Sequence, residues 1–149
     1  MRKFLLPIIN LVNIILVSIA WGLSGKTAVL EKVNHQSTPK GNMYQIVWMN
    51  ADKVNIIGII AFFLFCVACF LTLVAFLPLK VRKFVVCLGG LMYVGSGVLF
   101  LLSPNYQSAK IYEPELTGAF IAFCVLILVA GALSLLMAAI DMFAKKESK

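Results

Sequence analysis

Residues 54–79 read VNIIGIIAFFLFCVACFLTLVAFLPL, twenty-six positions without a charged side chain. The hydrocarbon core of a bilayer is about 30 Å thick, and a helix needs roughly 20 apolar residues to cross it. This stretch is long enough. From residue 56 onward its only polar candidates are Cys66, Cys69 and Thr72. Three more charge-free runs flank it, at 4–25, 84–109 and 116–140, and 62% of the chain is hydrophobic, with mean hydropathy +0.99. The reading is an all-α integral membrane protein, a four-transmembrane-helix bundle of tetraspan type. Spans are expected near 4–25, 54–79, 84–104 and 115–143, with outer loops at 26–53 and 105–114. Four spans in 149 residues leave no room for a separate soluble unit, so 1–149 reads as a single membrane domain.

The charges set an expected orientation. Arg2 and Lys3 precede the first run, Lys80, Arg82 and Lys83 separate the second from the third, and Lys145, Lys146 and Lys149 follow the fourth. On the opposite side Lys26, Lys32, Lys40, Lys53 and Lys110 are thinly spread, and Glu31, Asp52, Glu113 and Glu115 nearly cancel them. Basic residues next to span ends stay in the cytoplasm. Both termini and the 80–83 turn are therefore expected inside. The net charge of +7 then marks topology and contact with anionic inner-leaflet lipids, and does not point to nucleic acid. The first run begins like a signal peptide and carries Ser18-Ile19-Ala20, but it exceeds a usual signal core and contains Pro7, Asn10 and Asn13, so it is expected to be retained. All four cysteines lie in the spans, which leaves the outer loops without disulfide staples. Eleven lysines against two arginines suggest AT-rich coding, and with it a bacterial plasma membrane.

Local signals place the element ends. Pro7 suits the start of a helix, where a missing N–H is tolerated. Trp21 suits an interfacial anchor. A turn as short as 80–83 makes the second and third spans antiparallel neighbours. Ser103-Pro104-Asn105 stops the third, and Glu115 and Thr117 after Pro114 suit the start of the fourth. In the larger loop, 27–33 and 43–49 are rich in β-branched and aromatic residues. Thr38-Pro39-Lys40-Gly41 fits a type I turn between them, so a small β-hairpin is expected, with 109–113 as a third candidate strand. Strand alternation would then put Tyr44, Ile46 and Trp48 on one face, to be covered by the membrane interface or by a partner protein.

Catalytic signatures are thin. Cys66-Val67-Ala68-Cys69 is a C-x-x-C, as in membrane disulfide-forming enzymes and vitamin K epoxide reductases. That chemistry needs a thiolate near water or a helix start and a relay pair elsewhere, and here the pair is mid-span with no second pair outside. Small multidrug transporters use an intramembrane carboxylate; the nearest here is Asp141, one turn from Lys145, which reads as an interfacial i,i+4 ion pair. The Arg/His/Asn/Glu motif of membrane glutathione and eicosanoid enzymes is missing from the second span. Asn10 and Asn13, three apart, read as an intramembrane polar clamp to another helix. Gly89, Gly90, Ser134 and Ala138 are small residues placed for close packing of the third and fourth spans. His35, the sole histidine, has no companion ligands.

No cofactor and no metal is expected. The functional expectation is a non-enzymatic accessory, scaffold or adhesion-type subunit. It would act through its helix faces and outer loop on another membrane protein or a second copy of itself. An oligomeric small transporter or channel is the alternative, and a membrane thiol/disulfide redox enzyme ranks below it. The outline of four spans with a β-structured first loop resembles claudin-type proteins, whose loop signature of Gly-Leu-Trp and paired cysteines is missing here; the resemblance implies architecture alone.

Overall fold

The computed structural model describes residues 2–48, 55–77, 81–103 and 114–144. The elements run α1 Arg2–Ser24, β1 Thr27–Val33, β2 Gln36–Asn42, α2 Met43–Trp48, α3 Ile56–Val74, α4 Arg82–Leu102, β3 Pro114–Leu116 and α5 Gly118–Ala144. Four helices are long and apolar enough to cross a membrane: Phe4–Ser24, Ile56–Val74, Arg82–Leu102 and Gly118–Phe143. The shortest, at 19 residues, spans about 28 Å at the α-helical rise. By length and composition this is a multi-pass membrane protein.

Each long helix is amphipathic in the sense a bilayer demands. On α1 the exposed residues Phe4, Ile8, Leu11, Ile15 and Ile19 form one stripe, and the buried residues Asn10, Asn13, Val17, Ala20 and Ser24 form the opposite one. On α3, Gly58, Ala61, Phe65, Ala68 and Thr72 turn inward, while Ile56, Ile60, Phe63, Val67, Phe70 and Leu73 face out. Both stripes follow the three-and-four spacing of a helix face. Hydrocarbon accepts the large apolar side chains, so the interior is left to small, polar and aromatic ones.

The fourth long helix is the axis of the bundle. α5 packs along both α1 and α4, α4 packs along α3, and α1 and α3 touch little. The share of buried residues follows this order, 44% in the α5 span against 22% in the α1 span. Two core layers result. Toward the sheet end, Phe65, Tyr93, Phe100 and Phe123 are at most 1% exposed. Phe123 meets Phe65 at 5.7 Å and Phe100 at 5.2 Å in edge-on contacts, a geometry that adds to their burial. Toward the Arg82 end a smaller cluster joins Ala75, Val86, Met137 and Ala138.

At the other end lies a three-stranded antiparallel sheet of order β2-β1-β3. β1 matches the expected strand, but the expected hairpin partner does not. Asn34 and His35 have φ of 49° and 64°, so they form the two-residue turn with both φ positive that suits the twist of a hairpin. Thr38-Pro39-Lys40-Gly41 is consequently not a turn but lies within β2. The turn makes Val33 and Gln36 a hydrogen-bonded pair, and alternation makes Leu30 and Pro39 a non-bonded one. The amide that proline lacks would thus have pointed to the free edge, where its loss blunts further strand pairing.

Residues 43–48, expected as strand, are helical. The cause is a capping box: the Gln45 amide donates to Asn42 Oδ1 at 3.0 Å, and the Asn42 amide donates to Gln45 Oε1 at 2.9 Å. Met43 and Val47, four apart, are then buried together. A third strand exists, but as Pro114–Leu116, paired with Glu31, Leu30 and Val29 of β1. It displaces the start of the last helix to Gly118, with Thr117 accepting the Phe120 amide as cap. The expected strand at 109–113, Pro104-Asn105, and Pro78 and Lys80 of the expected 80–83 turn lie outside the described residues.

Candidate functional site

Two places gather the residues singled out by the sequence. The first is the platform formed by the sheet and α2. Thr117 ties it to α5: its amide donates to Ala28 O at 3.0 Å, and its hydroxyl donates to Thr27 O. Ala28 and Val29 are buried beneath it. α2 is tied to α1 through the Tyr44 and Ser24 hydroxyls, 3.0 Å apart. Diagonal ion pairs cross both strand joints, Lys40 with Glu31, and Lys32 with Glu115 at 3.2 Å.

Tyr44 and Trp48 share one face of α2, four residues apart, as they would have on a strand. The chain itself supplies part of their cover. Both rings rest edge-on against Phe62 of α3, at 6.3 Å and 5.8 Å. Trp48 also meets Phe63 at 6.4 Å, and remains 51% exposed beside this outward-facing residue. The side chain of Ile46 lies outside what the structure describes.

The second place is a polar seam in the Arg82 half of the bundle. Asn13 is 1% exposed and donates from Nδ2 to Ser134 Oγ of α5 at 2.8 Å. Its Oδ1 is buried and has no hydrogen-bond partner among the described residues. Asn10 donates to Thr72 O at 3.3 Å. The Thr72 hydroxyl in turn lies 2.9 Å from the Tyr93 hydroxyl and donates to Ala68 O. The two asparagines therefore clamp α1 to different helices, α3 and α5.

Two small spaces adjoin these groups. One, of about 10 Å³, is walled by all four long helices through Asn10, Thr72, Gly89 and Ser134 among others. The next, of about 60 Å³, shares Asn10 and Ala75 and runs past Pro7 and Phe76 to Arg82. At this rim Arg82 donates to both carboxylate oxygens of Asp141, at 3.0 and 3.3 Å. Asp141 thus pairs across helices with Arg82. Lys145, the partner expected from spacing, lies outside the described residues.

The packing residues are shared out differently from expectation. A Cβ on Gly90 would meet Gly131 O at 3.1 Å and Leu135 Cγ at 2.9 Å, so α4 and α5 do approach closely there. Gly89 faces Leu71 of α3 instead. Ser134 is engaged by Asn13, and Ala138 is buried with Val86 and Met137. Sequence reasoning missed Tyr93, Arg82, Gly131 and the Asn55–Ser103 hydrogen bond of 2.8 Å. A tyrosine amid small residues in a span was the available signal for Tyr93, since a buried phenol needs a polar partner.

Cys66, Cys69, Cys87 and Cys124 are all free thiols. Among the described residues no group of His, Cys, Asp and Glu side chains is arranged to hold a metal ion. The fold and these sites define a small multi-pass membrane protein with a β-sheet platform at one end. Comparison with protein-family models, with curated proteins and with solved structures finds no match for the chain.

Proposed function

We propose that this protein is a non-enzymatic membrane subunit of accessory, scaffold or adhesion type, multi-pass in the plasma membrane of a bacterium. Its termini are cytoplasmic and its platform is outside, following the distribution of basic residues. Its surroundings are the bilayer, including anionic inner-leaflet lipids, and its partner is another membrane protein or a second copy. The observation that carries this reading is the anchorage of the platform. Thr117, Ser24 and Tyr44 fasten sheet and α2 to three different long helices, so an exposed polar surface is held in a fixed pose. Rigid presentation lowers the ordering cost of binding. The aromatic layer of Phe65, Tyr93, Phe100 and Phe123 supports the same reading, because it packs the sheet half of the bundle with buried rings.

Mild-detergent purification with identification of co-purifying proteins tests this. Changing the exposed residues Lys26, Gln36 and Ser37, which lie outside the strand-crossing ion pairs, to glutamate should release a partner without altering thermal unfolding. A protein that purifies alone and monomeric from its native membrane would defeat the proposal. Trp48 has a separate test in a Trp21→Phe background: brominated outer-leaflet lipid should quench its fluorescence, because it lies beside outward-facing Phe63. The second reading, a small oligomeric transporter or channel, draws support from the polar seam and its two spaces. Reconstituted flux of a small solute that is lost on Asn13→Leu would favour it.

A further inference from the structure

The polar seam holds a group that packing alone does not explain. Asn13 uses its amide N–H toward Ser134, yet its carbonyl oxygen is buried with no partner among the described residues. An acceptor stripped of water and given no donor is destabilising, and hydrocarbon supplies none. Polar side chains within spans accordingly face a bundle interior or a water-filled cavity. The neighbouring space, about 10 Å³ and lined by Asn10, Thr72 and Ser134, matches the least volume that holds one water, and it offers the polar partners such a water needs. The adjoining recess of about 60 Å³ shares the Asn10 wall and reaches the Arg82 rim.

We infer that this seam is a hydrated crevice, open at the Arg82 end and closed toward the sheet. Its innermost water lies between Asn10, Thr72 and Ser134, where a small turn of the neighbouring Asn13 amide lets it donate to the Asn13 carbonyl. The leftover atom is an acceptor, and the charge of Arg82 is balanced by Asp141. The crevice therefore suits neutral hydrogen-bond donors over anions. It penetrates from the level of Asp141 to that of Ser134, seven residues along α5, or about 10 Å. Tyr93, with the phenylalanine layer behind it, ends it. The inference is independent of which partner the platform serves.

Cysteine accessibility tests it in proteoliposomes. Single cysteines at Ser134 or Asn10 are placed in a background with Cys66, Cys69, Cys87 and Cys124 changed to Ala, each variant checked for monodispersity. Silver ion, close to a water molecule in size, blocks a thiol only where water reaches, and the unblocked fraction is read by maleimide after denaturation. Val12→Cys and Leu136→Cys, at matching depths on exposed faces, are the lipid-facing controls. Ser134→Cys and Asn10→Cys should react from one side of the membrane only, roughly tenfold faster than the controls. Rates equal to the controls would overturn the inference. In the Asn10→Cys protein, Asn13→Leu should slow the silver block, whereas Asn13→Asp, which keeps the acceptor oxygen, should preserve it. A block unchanged by Asn13→Leu would also overturn the inference.

Discussion

Gly90 of α4 and Gly131 of α5 face each other so closely that a Cβ on either would come within 3.0–3.1 Å of the other's carbonyl oxygen. The contact is reciprocal, backbone against backbone. Lipid gives two helices no hydrophobic reason to associate, so close van der Waals approach has to supply the attraction. Along the same interface Gly97 admits Leu128, whose Cγ and Cδ2 would lie 2.8 Å from an added Cβ.

Substitution at this crossing should separate the helices. Gly131→Val and Gly90→Leu are each expected to cost about 1–3 kcal/mol through overpacking, read as a lowered unfolding temperature in detergent. Gly89→Ala is the contrast. Its added Cβ would meet Leu71 Cβ at 3.4 Å, an ordinary contact, and stability should change little. Equal losses at all three positions would refute this geometry.

The Arg82–Asp141 pair joins the start of α4 to the last turns of α5, with side chains 36% and 17% exposed. A double-mutant cycle of Arg82→Gln and Asp141→Asn should return a coupling of about 1 kcal/mol. Raising the salt should shrink it, as the arginine is partly exposed. Zero coupling, with an intact pair between Asp141 and a residue of the C-terminal tail, would favour the spacing-based pairing instead.

The hairpin turn carries strain that can be relieved. His35 has φ of 64°, a conformation costing a non-glycine residue roughly 1–2 kcal/mol. His35→Gly makes Asn-Gly, the favoured pair for this turn, and should slow amide hydrogen exchange in β1 and β2. Placing Gly at Lys40, within β2, should do the opposite. The histidine is thus a turn residue, and its removal should leave metal content unchanged.

Orientation is open to direct measurement, and the fold dictates where to insert the reporter. Gly41 is a poor site, because its backbone has φ of 147° and its position abuts Gln45. The exposed Asn34–His35 turn tolerates insertion far better. A reporter there should read as external, and reporters after Lys83 and at the C-terminus as cytoplasmic. A cytoplasmic reading at the turn would overturn the charge argument.

What the sequence by itself determined about this protein is what depends on local, additive properties. Charge-free length determines a spanning helix, because every apolar residue contributes to transfer independently of its neighbours. The four spans were therefore legible, as were β1 from its β-branched run and the polarity of Asn10 and Asn13 within α1. The ends and pairings were decided only by the tertiary structure. β propensity alone made 43–48 a strand, and the Asn42–Gln45 capping box with burial of Met43 and Val47 makes it a helix. Proline and glycine marked a turn at 38–41, but hairpin twist selected Asn34-His35 and put Pro39 on a free edge, where it needs no partner. Asp141 pairs with a residue fifty-nine positions away. Asn13 finds Ser134 across 121 positions. Such partners follow from which helix faces meet, a property of packing that no single stretch of sequence contains.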